Sequence, residues 1–263
     1  MDKIAVITGT SRGIGHALTL ELVNRGLTVF AISQNENALK DLQKFNPDAI
    51  KIISADITTQ DGQEKIQTAL HHMKIDYLIN NAGIIHPIGL LHHASQHEIR
   101  KLFETDLLAP IFLTNSLISQ FNTEGARILN ITSVAGDEAV AGIGAYCAAK
   151  AALNIWTATL KKELPSYIAA ADVIPGEVDT DMQGNLRNAS KEEFPLAIEF
   201  EEAKKQKTLI PASICAEFLA NILLNTTYKE FSMKKWNIYR DYDKPIPQPL
   251  NKKKLAKSGS EAS

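Results

Sequence analysis

Cysteine is scarce in this chain: Cys147 and Cys215 are the two in 263 residues. Two thiols make no disulfide framework and fit a reducing compartment, so a cytoplasmic protein is expected. Net charge is nearly absent too, since 28 basic and 30 acidic side chains leave −2. That gives no reason to expect nucleic acid or an anionic membrane as partner. No apolar run approaches the roughly 20 residues that cross a bilayer. The opening MDKIAVITG has too short an apolar run for a signal peptide, and a soluble intracellular protein is expected. His93 and His97 stand one helical turn apart, but no third ligand clusters with them, so no metal is expected. What is present is an ordinary globular composition, 44% apolar.

Along the chain, short β-branched runs alternate with helical patterns. Strands are expected at 4–8, 27–32, 50–54, 77–79, 126–131 and 168–174. Helices are expected at 16–24, 36–45, 63–72, 97–119 with a break or bend near Pro110, and from about 144 to 163. Such alternation predicts an α/β fold, a Rossmann-like doubly wound parallel sheet with helices on both faces. There is no internal repeat and no linker-like shift in composition, so residues 1–250 read as one domain. Residues 251–263 read as a polar, basic, disordered tail.

In such sheets ligands sit at the carboxyl ends of the strands. The unusual polar and glycine clusters of this sequence fall there: Gly9 to Gly15, Ser33, Asp56, Asn80 to Gly83, Ser133 and Pro175-Gly176. Between a strand and a helix, Gly9, Gly13 and Gly15 read as a dinucleotide-binding turn. Gly9 takes the tight bend, and bare Gly13 and Gly15 let pyrophosphate approach the backbone and the helix N-terminus.

Tyr146 and Lys150 are four residues apart in the alanine-rich GAYCAAKAAL, which places them on one helix face. A phenol with an ordinary pKa near 10 needs roughly 4 kcal/mol to titrate at about pH 7. One positive charge about 4 Å away supplies on the order of 4 kcal/mol at an effective dielectric of about 20. The spacing is therefore sufficient, in principle, for Tyr146 to act as an acid or base near neutral pH.

TGTSRGIG, NNAG, a serine thirteen residues before the tyrosine, YCAAK and IPGEVDT occur in that order. On these motifs the chain resembles a short-chain dehydrogenase/reductase of the branch about 250 residues long. The resemblance runs over residues 3–240. It implies that Tyr146 donates a proton to a substrate carbonyl oxygen while hydride leaves the nicotinamide. Ser133 would polarise the same oxygen, and Lys150 would lower the tyrosine pKa and bind the nicotinamide ribose. The implied cofactor contacts are Gly9, Ser11, Arg12, Gly13, Ile14, Gly15 and Ser33. They continue with Asp56 and Ile57, with Asn80, Ala82 and Gly83, and with Tyr146 and Lys150 themselves. Pro175, Gly176, Val178 and Thr180 complete the set, on the carboxamide side. A homodimer or homotetramer formed through the long helices is implied as well, with Ala151, Leu153, Ile155 and Trp156 as its apolar residues.

NADP is expected over NAD. Where the second strand ends the chain has Ser33-Gln34-Asn35, with no carboxylate to meet a ribose 2′-hydroxyl, and Arg12 could meet a 2′-phosphate. Asp106 stands where the family usually carries asparagine, which puts the family's proton relay in question. An ionised Asp106 about 8 Å from Tyr146 would oppose phenolate formation by roughly 2 kcal/mol at a dielectric of about 20. Residues 181–210 are expected to form a flap over the substrate. The C-terminal FSMKKWNIYRDYD is loosely similar to reductases of the sepiapterin and benzil type, which act on 1,2-dicarbonyls. The expected function is NADPH-dependent reduction of a small ketone or dicarbonyl. The alternatives are an NADP-binding regulator with little catalysis and an interaction protein with a vestigial glycine turn.

Overall fold

The computed structural model describes residues 3–250. The β-branched runs form strands β1 (Ile4–Thr8), β2 (Thr28–Ser33), β3 (Ile50–Ser54), β4 (Tyr77–Asn80), β5 (Ala126–Ile131), β6 (Ile168–Ile174) and β7 (Trp236–Asn237). They pair in parallel in the order β3-β2-β1-β4-β5-β6-β7. The chain winds outward from β1 in one direction and from β4 in the other, so the switch point lies between these two strands.

Alternation along each strand decides which helix packs where. Ala5 and Ile7 of β1, with Ala169, Ala171 and Val173 of β6, face one layer. That layer holds α1 (Gly13–Asn24), α2 (Glu36–Gln43) and α9 (Ala212–Asn225). Val6, Ile128 and Ala170 face the other, which holds α3 (Gln60–Leu70), α5 (Ala109–Leu117) and α6 (Gly144–Glu163). This is the expected Rossmann-like α/β architecture. A third apolar cluster lies beyond the strand ends, where α4 (Gln96–Phe103), α7 (Asp181–Arg187) and α8 (Ala197–Lys205) meet α6 through Leu102, Leu186, Ala197 and Ala149. The short helices α10 (Tyr228–Met233) and α11 (Ile238–Asp241) flank β7.

Some expectations shift. The break in the fourth helical region is a π-helical turn at Glu104–Leu108, ahead of Pro110 rather than at it. Proline has no N–H for residue 106 to accept and its ring crowds that carbonyl, so the helix loosens one turn upstream. That turn carries Asp106 inward, to 0% exposure. α3 begins at Gln60 rather than 63 because the Thr59 hydroxyl accepts from the Gly62 N–H at 3.1 Å. Helices α7 to α11 and the two-residue β7 lie outside the elements expected from the sequence, α7 and α8 falling within the expected flap. The basic tail at 251–263 lies outside the described residues.

Candidate active site

The glycine turn leaves β1 at the switch point. Gly9 and Gly13 have φ of +73° and +60°, which side chains rarely adopt. The turn is clamped from both sides: Gly9 N–H donates to Ile32 O at 2.9 Å, and Asn81 Nδ2 donates to Thr8 O at 2.8 Å. A Cβ on Gly15 would come within 2.4 Å of both Asn81 Nδ2 and Gly9 O. Gly15 therefore serves helix-to-loop packing, and it does not line the cavity.

That cavity, about 500 Å³, is walled by Gly9, Ser11, Arg12, Gly13 and Ile14, by Ser33 to Asn35 at the end of β2, and by Ile57, Ala82 and Gly83. α1 opens onto it with no side chain capping its N-terminus, so its first N–H groups are available to an anion. Glycines with positive φ, an uncapped helix N-terminus and this volume fit a dinucleotide with its pyrophosphate on the turn.

Two residues expected at the cofactor are turned elsewhere. Asn80 is buried within the sheet, its Nδ2 donating to Asn130 Oδ1 at 2.8 Å and Thr114 Oγ1 at 3.2 Å. Its neighbour Asn81, which the sequence reading passed over, lines the cavity and braces the turn. Alternation along the strand end separates the two. Asp56 uses Oδ1 to accept from the N–H and hydroxyl of Thr58, at 2.9 and 2.6 Å. Ile57 and Thr58 supply the wall instead. Arg12 does line the cavity, but its Nε lies 3.4 Å from Asp181 Oδ2, with both side chains mostly exposed.

A second cavity of about 200 Å³ shares Ile14, Ile85, Thr180 and Met182 with the first. Ser133, Tyr146, Pro175, Gly176 and Val178 line it, so one chamber joins these residues to the turn. The α6 helix presents Tyr146 and, one turn on, Lys150, both buried. Lys150 Nζ donates to Ile131 O at 3.2 Å and sits 5.5 Å from the centre of the Tyr146 ring. Behind it, Asp106 Oδ2 is 3.1 Å from Nζ, and Asp106 Oδ1 accepts from the Ile84 N–H at 2.8 Å. The two opposite charges thus pair away from solvent.

This changes the electrostatics expected from helix spacing. Burial pushes the Tyr146 phenol above its ordinary value. Lys150 and a hydrogen bond with Ser133 pull it down, Asp106 pushes it up, and the net direction is upward. Burial also raises Asp106, against the pull of Lys150 and of the Ile84 N–H. Burial acts to lower Lys150, but Asp106 and Tyr146 outweigh it and hold the ammonium charged. Spacing alone had suggested a lowered tyrosine pKa; burial and the carboxylate reverse that direction. Asp106 is occupied by the lysine charge.

Among the described residues there is no group of three or more His, Cys, Asp or Glu placed to hold a metal. No helix among them is long and apolar enough to cross a membrane.

The switch-point cavity, the glycine turn, the half-buried serine and the buried tyrosine and lysine define a Rossmann-like oxidoreductase site. The family model described as short chain dehydrogenase matches residues 3–191, and the chain belongs to that family. It is 31% identical over 236 residues to a benzil reductase ((S)-benzoin forming) of Bacillus cereus, covering 84% of this chain and 94% of that one. It is 32% identical over 196 residues to a 3-oxoacyl-[acyl-carrier-protein] reductase of Haemophilus influenzae, covering 72% and 79%. A solved short chain dehydrogenase/reductase of Saccharomyces cerevisiae superposes with a TM-score of 0.84 at 26% identity, covering 92% of this chain and 97% of that one. The chain is thus an oxidoreductase acting on C=O or CH–OH groups, of a family that binds a nicotinamide cofactor.

Proposed function

We propose that this protein is an NADPH-dependent carbonyl reductase in which the Tyr146 hydroxyl gives its proton to the substrate oxygen. The observation that carries the reading is the buried Tyr146, lining one cavity with Ser133 and with the Lys150 ammonium 5.5 Å from its ring centre, in a chamber continuous with the glycine turn. When bound, the dihydronicotinamide supplies the hydride. Gly9, Gly13 and Ile14 would hold its pyrophosphate, Ser33 and Arg12 the adenosine ribose and its phosphate, and Thr180 and Val178 the carboxamide side. Ser133 Oγ orients the carbonyl oxygen beside Tyr146 Oη. Lys150 stabilises the phenolate that remains after proton transfer, and a raised phenol pKa keeps Tyr146 protonated, as an acid must start. NADP preference is supported by the lack of any carboxylate at Ser33-Gln34-Asn35.

Benzil reductases among the relatives support a ketone or dicarbonyl substrate. A homodimer or homotetramer is supported by Ile155 of α6 and Phe112 of α5, 71% and 46% exposed. Leu153, expected in the same surface, is buried in the protomer. Residues 1–250, flap included, are proposed as one domain.

The test follows NADPH absorbance with a panel of ketones, diketones and quinones, in the parent and in Tyr146→Phe. We expect the variant to keep NADPH affinity and to lose about 10²- to 10⁴-fold in rate, the usual contribution of a positioned acid. A variant retaining most of its rate would overturn the role of Tyr146.

A further inference from the structure

The chamber beside Tyr146 is apolar, except that its charges have one sign. Val140, Ile143, Leu186, Leu196 and Phe200 supply much of the wall, and Glu138, Glu177 and Glu199 line it with no Lys or Arg among the described lining residues. Glu199 is an exposed acidic residue in the first turn of α8, and it also borders the cavity. Leu196, Glu199, Phe200 and Ala203 are spaced i, i+3, i+4 and i+7, one stripe at the C-terminal end of the flap facing the cavity. Glu199 borders the cavity with its side chain still exposed, and its apolar neighbour Ile198 is 52% exposed. Neither Glu138 nor Glu199 is ion-paired among the described residues. From α7, Gln183 adds a buried Oε1 that has no hydrogen-bond partner, on the same wall. An amide oxygen left unpaired in an apolar chamber points to a hydrogen-bond donor on a ligand.

Resting on the reductase reading, we infer that this chamber selects uncharged or cationic carbonyl compounds and rejects carboxylates and phosphates, with Glu199 and Glu138 setting that preference. An anionic substrate would bring like charge into an apolar chamber bordered by these carboxylates. A neutral aryl or alkyl ketone meets apolar walls and one amide. The inference separates this chain from enzymes whose substrates carry a free carboxylate next to the reacting carbonyl.

The test compares phenylglyoxylate with its methyl ester, which share the ketone and differ in charge. The full chain is assayed with NADPH, and separately titrated by calorimetry with each compound in the absence of cofactor. We expect kcat/KM for the ester to exceed that for the carboxylate by at least about tenfold, or about 1.4 kcal/mol. The ester should also bind the cofactor-free chain more tightly. In the double variant Glu138→Gln/Glu199→Gln the ratio should narrow because the carboxylate gains in both kcat/KM and affinity, an outcome that damaged folding does not produce. Equal treatment of the two compounds by the parent, a ratio unmoved in the double variant, or binding of neither compound would overturn the inference. Preferential binding of the ester without turnover of either compound would sustain it and count against the reductase reading instead.

Discussion

Lys150 Nζ lies 3.1 Å from Asp106 Oδ2 at a site closed to solvent, so the ammonium facing Tyr146 also neutralises a carboxylate. A charge that serves two partners stabilises each less than it would alone. Tyr146 is the partner affected, because its phenolate must form against both burial and the Asp106 charge.

Asp106→Asn should therefore lower the tyrosine pKa. The direction matters differently for the two reactions. Alcohol oxidation needs Tyr146 to begin as a base, so its rate profile should move to lower pH in the variant. Ketone reduction needs the protonated phenol and should persist around neutral pH. Oxidation rates measured from about pH 6 to about 10 in both proteins decide this, given that an ordinary tyrosine titrates near 10. Coincident profiles would mean that the carboxylate does not act on Tyr146.

Removing the other partner should show in stability. Lys150→Met leaves a buried carboxylate without its counter-charge, which typically costs about 3–5 kcal/mol. Without the ammonium, burial raises the folded-state pKa of Asp106 further above its unfolded value. The protonated form is then favoured in the folded state, so stability is greatest below the ordinary carboxylate range and falls as pH rises through the raised value. Urea unfolding at acidic and at mildly alkaline pH should show this loss, and Asp106→Asn/Lys150→Met should recover most of it at the higher pH. A single variant as stable as the parent at the alkaline end would refute the pairing energetics.

Cofactor choice should depend on the Arg12–Asp181 contact. NADPH is expected to bind at least about tenfold more tightly than NADH, or about 1.4 kcal/mol. Arg12→Ala should remove much of that margin. Asp181→Asn should widen it, because the guanidinium is freed from a carboxylate 3.4 Å away. Fluorescence titrations giving equal curves for the two cofactors would show that neither Arg12 nor Ser33 reads the 2′ position.

Gly15→Ala should destabilise the fold by about 1–3 kcal/mol, the usual cost of overpacking. The new methyl would push on Asn81 and on the Gly9 carbonyl, both 2.4 Å away, and disturb the turn they brace. Cofactor affinity should fall with it. Gly184→Ala in α7 is the control: its Cβ would meet its first neighbour at 3.6 Å, and alanine favours a helix over glycine by up to about 1 kcal/mol. Melting temperatures that drop alike in both variants would contradict the packing argument.

Sequence by itself determined what depends on neighbours along the chain. Glycine at 9 and 13 permits positive φ, an i to i+4 step stacks Tyr146 and Lys150 on one helix face, and β-branched runs alternating with helical patterns specify a parallel sheet. These follow from local sterics and periodicity, and β1, β3, β5, β6 and α6 match their expected bounds. Tertiary structure decided where side chains point and what shares their charge. It turned Asn80 into the sheet and Asn81 to the cavity. It set Arg12 against Asp181. The π-helical turn carried Asp106 onto Lys150, and with burial that reversed the direction of the Tyr146 pKa. Burial and Coulomb energy depend on distances between residues far apart in sequence, 44 positions in the case of Asp106 and Lys150, and such distances exist only once the chain has packed.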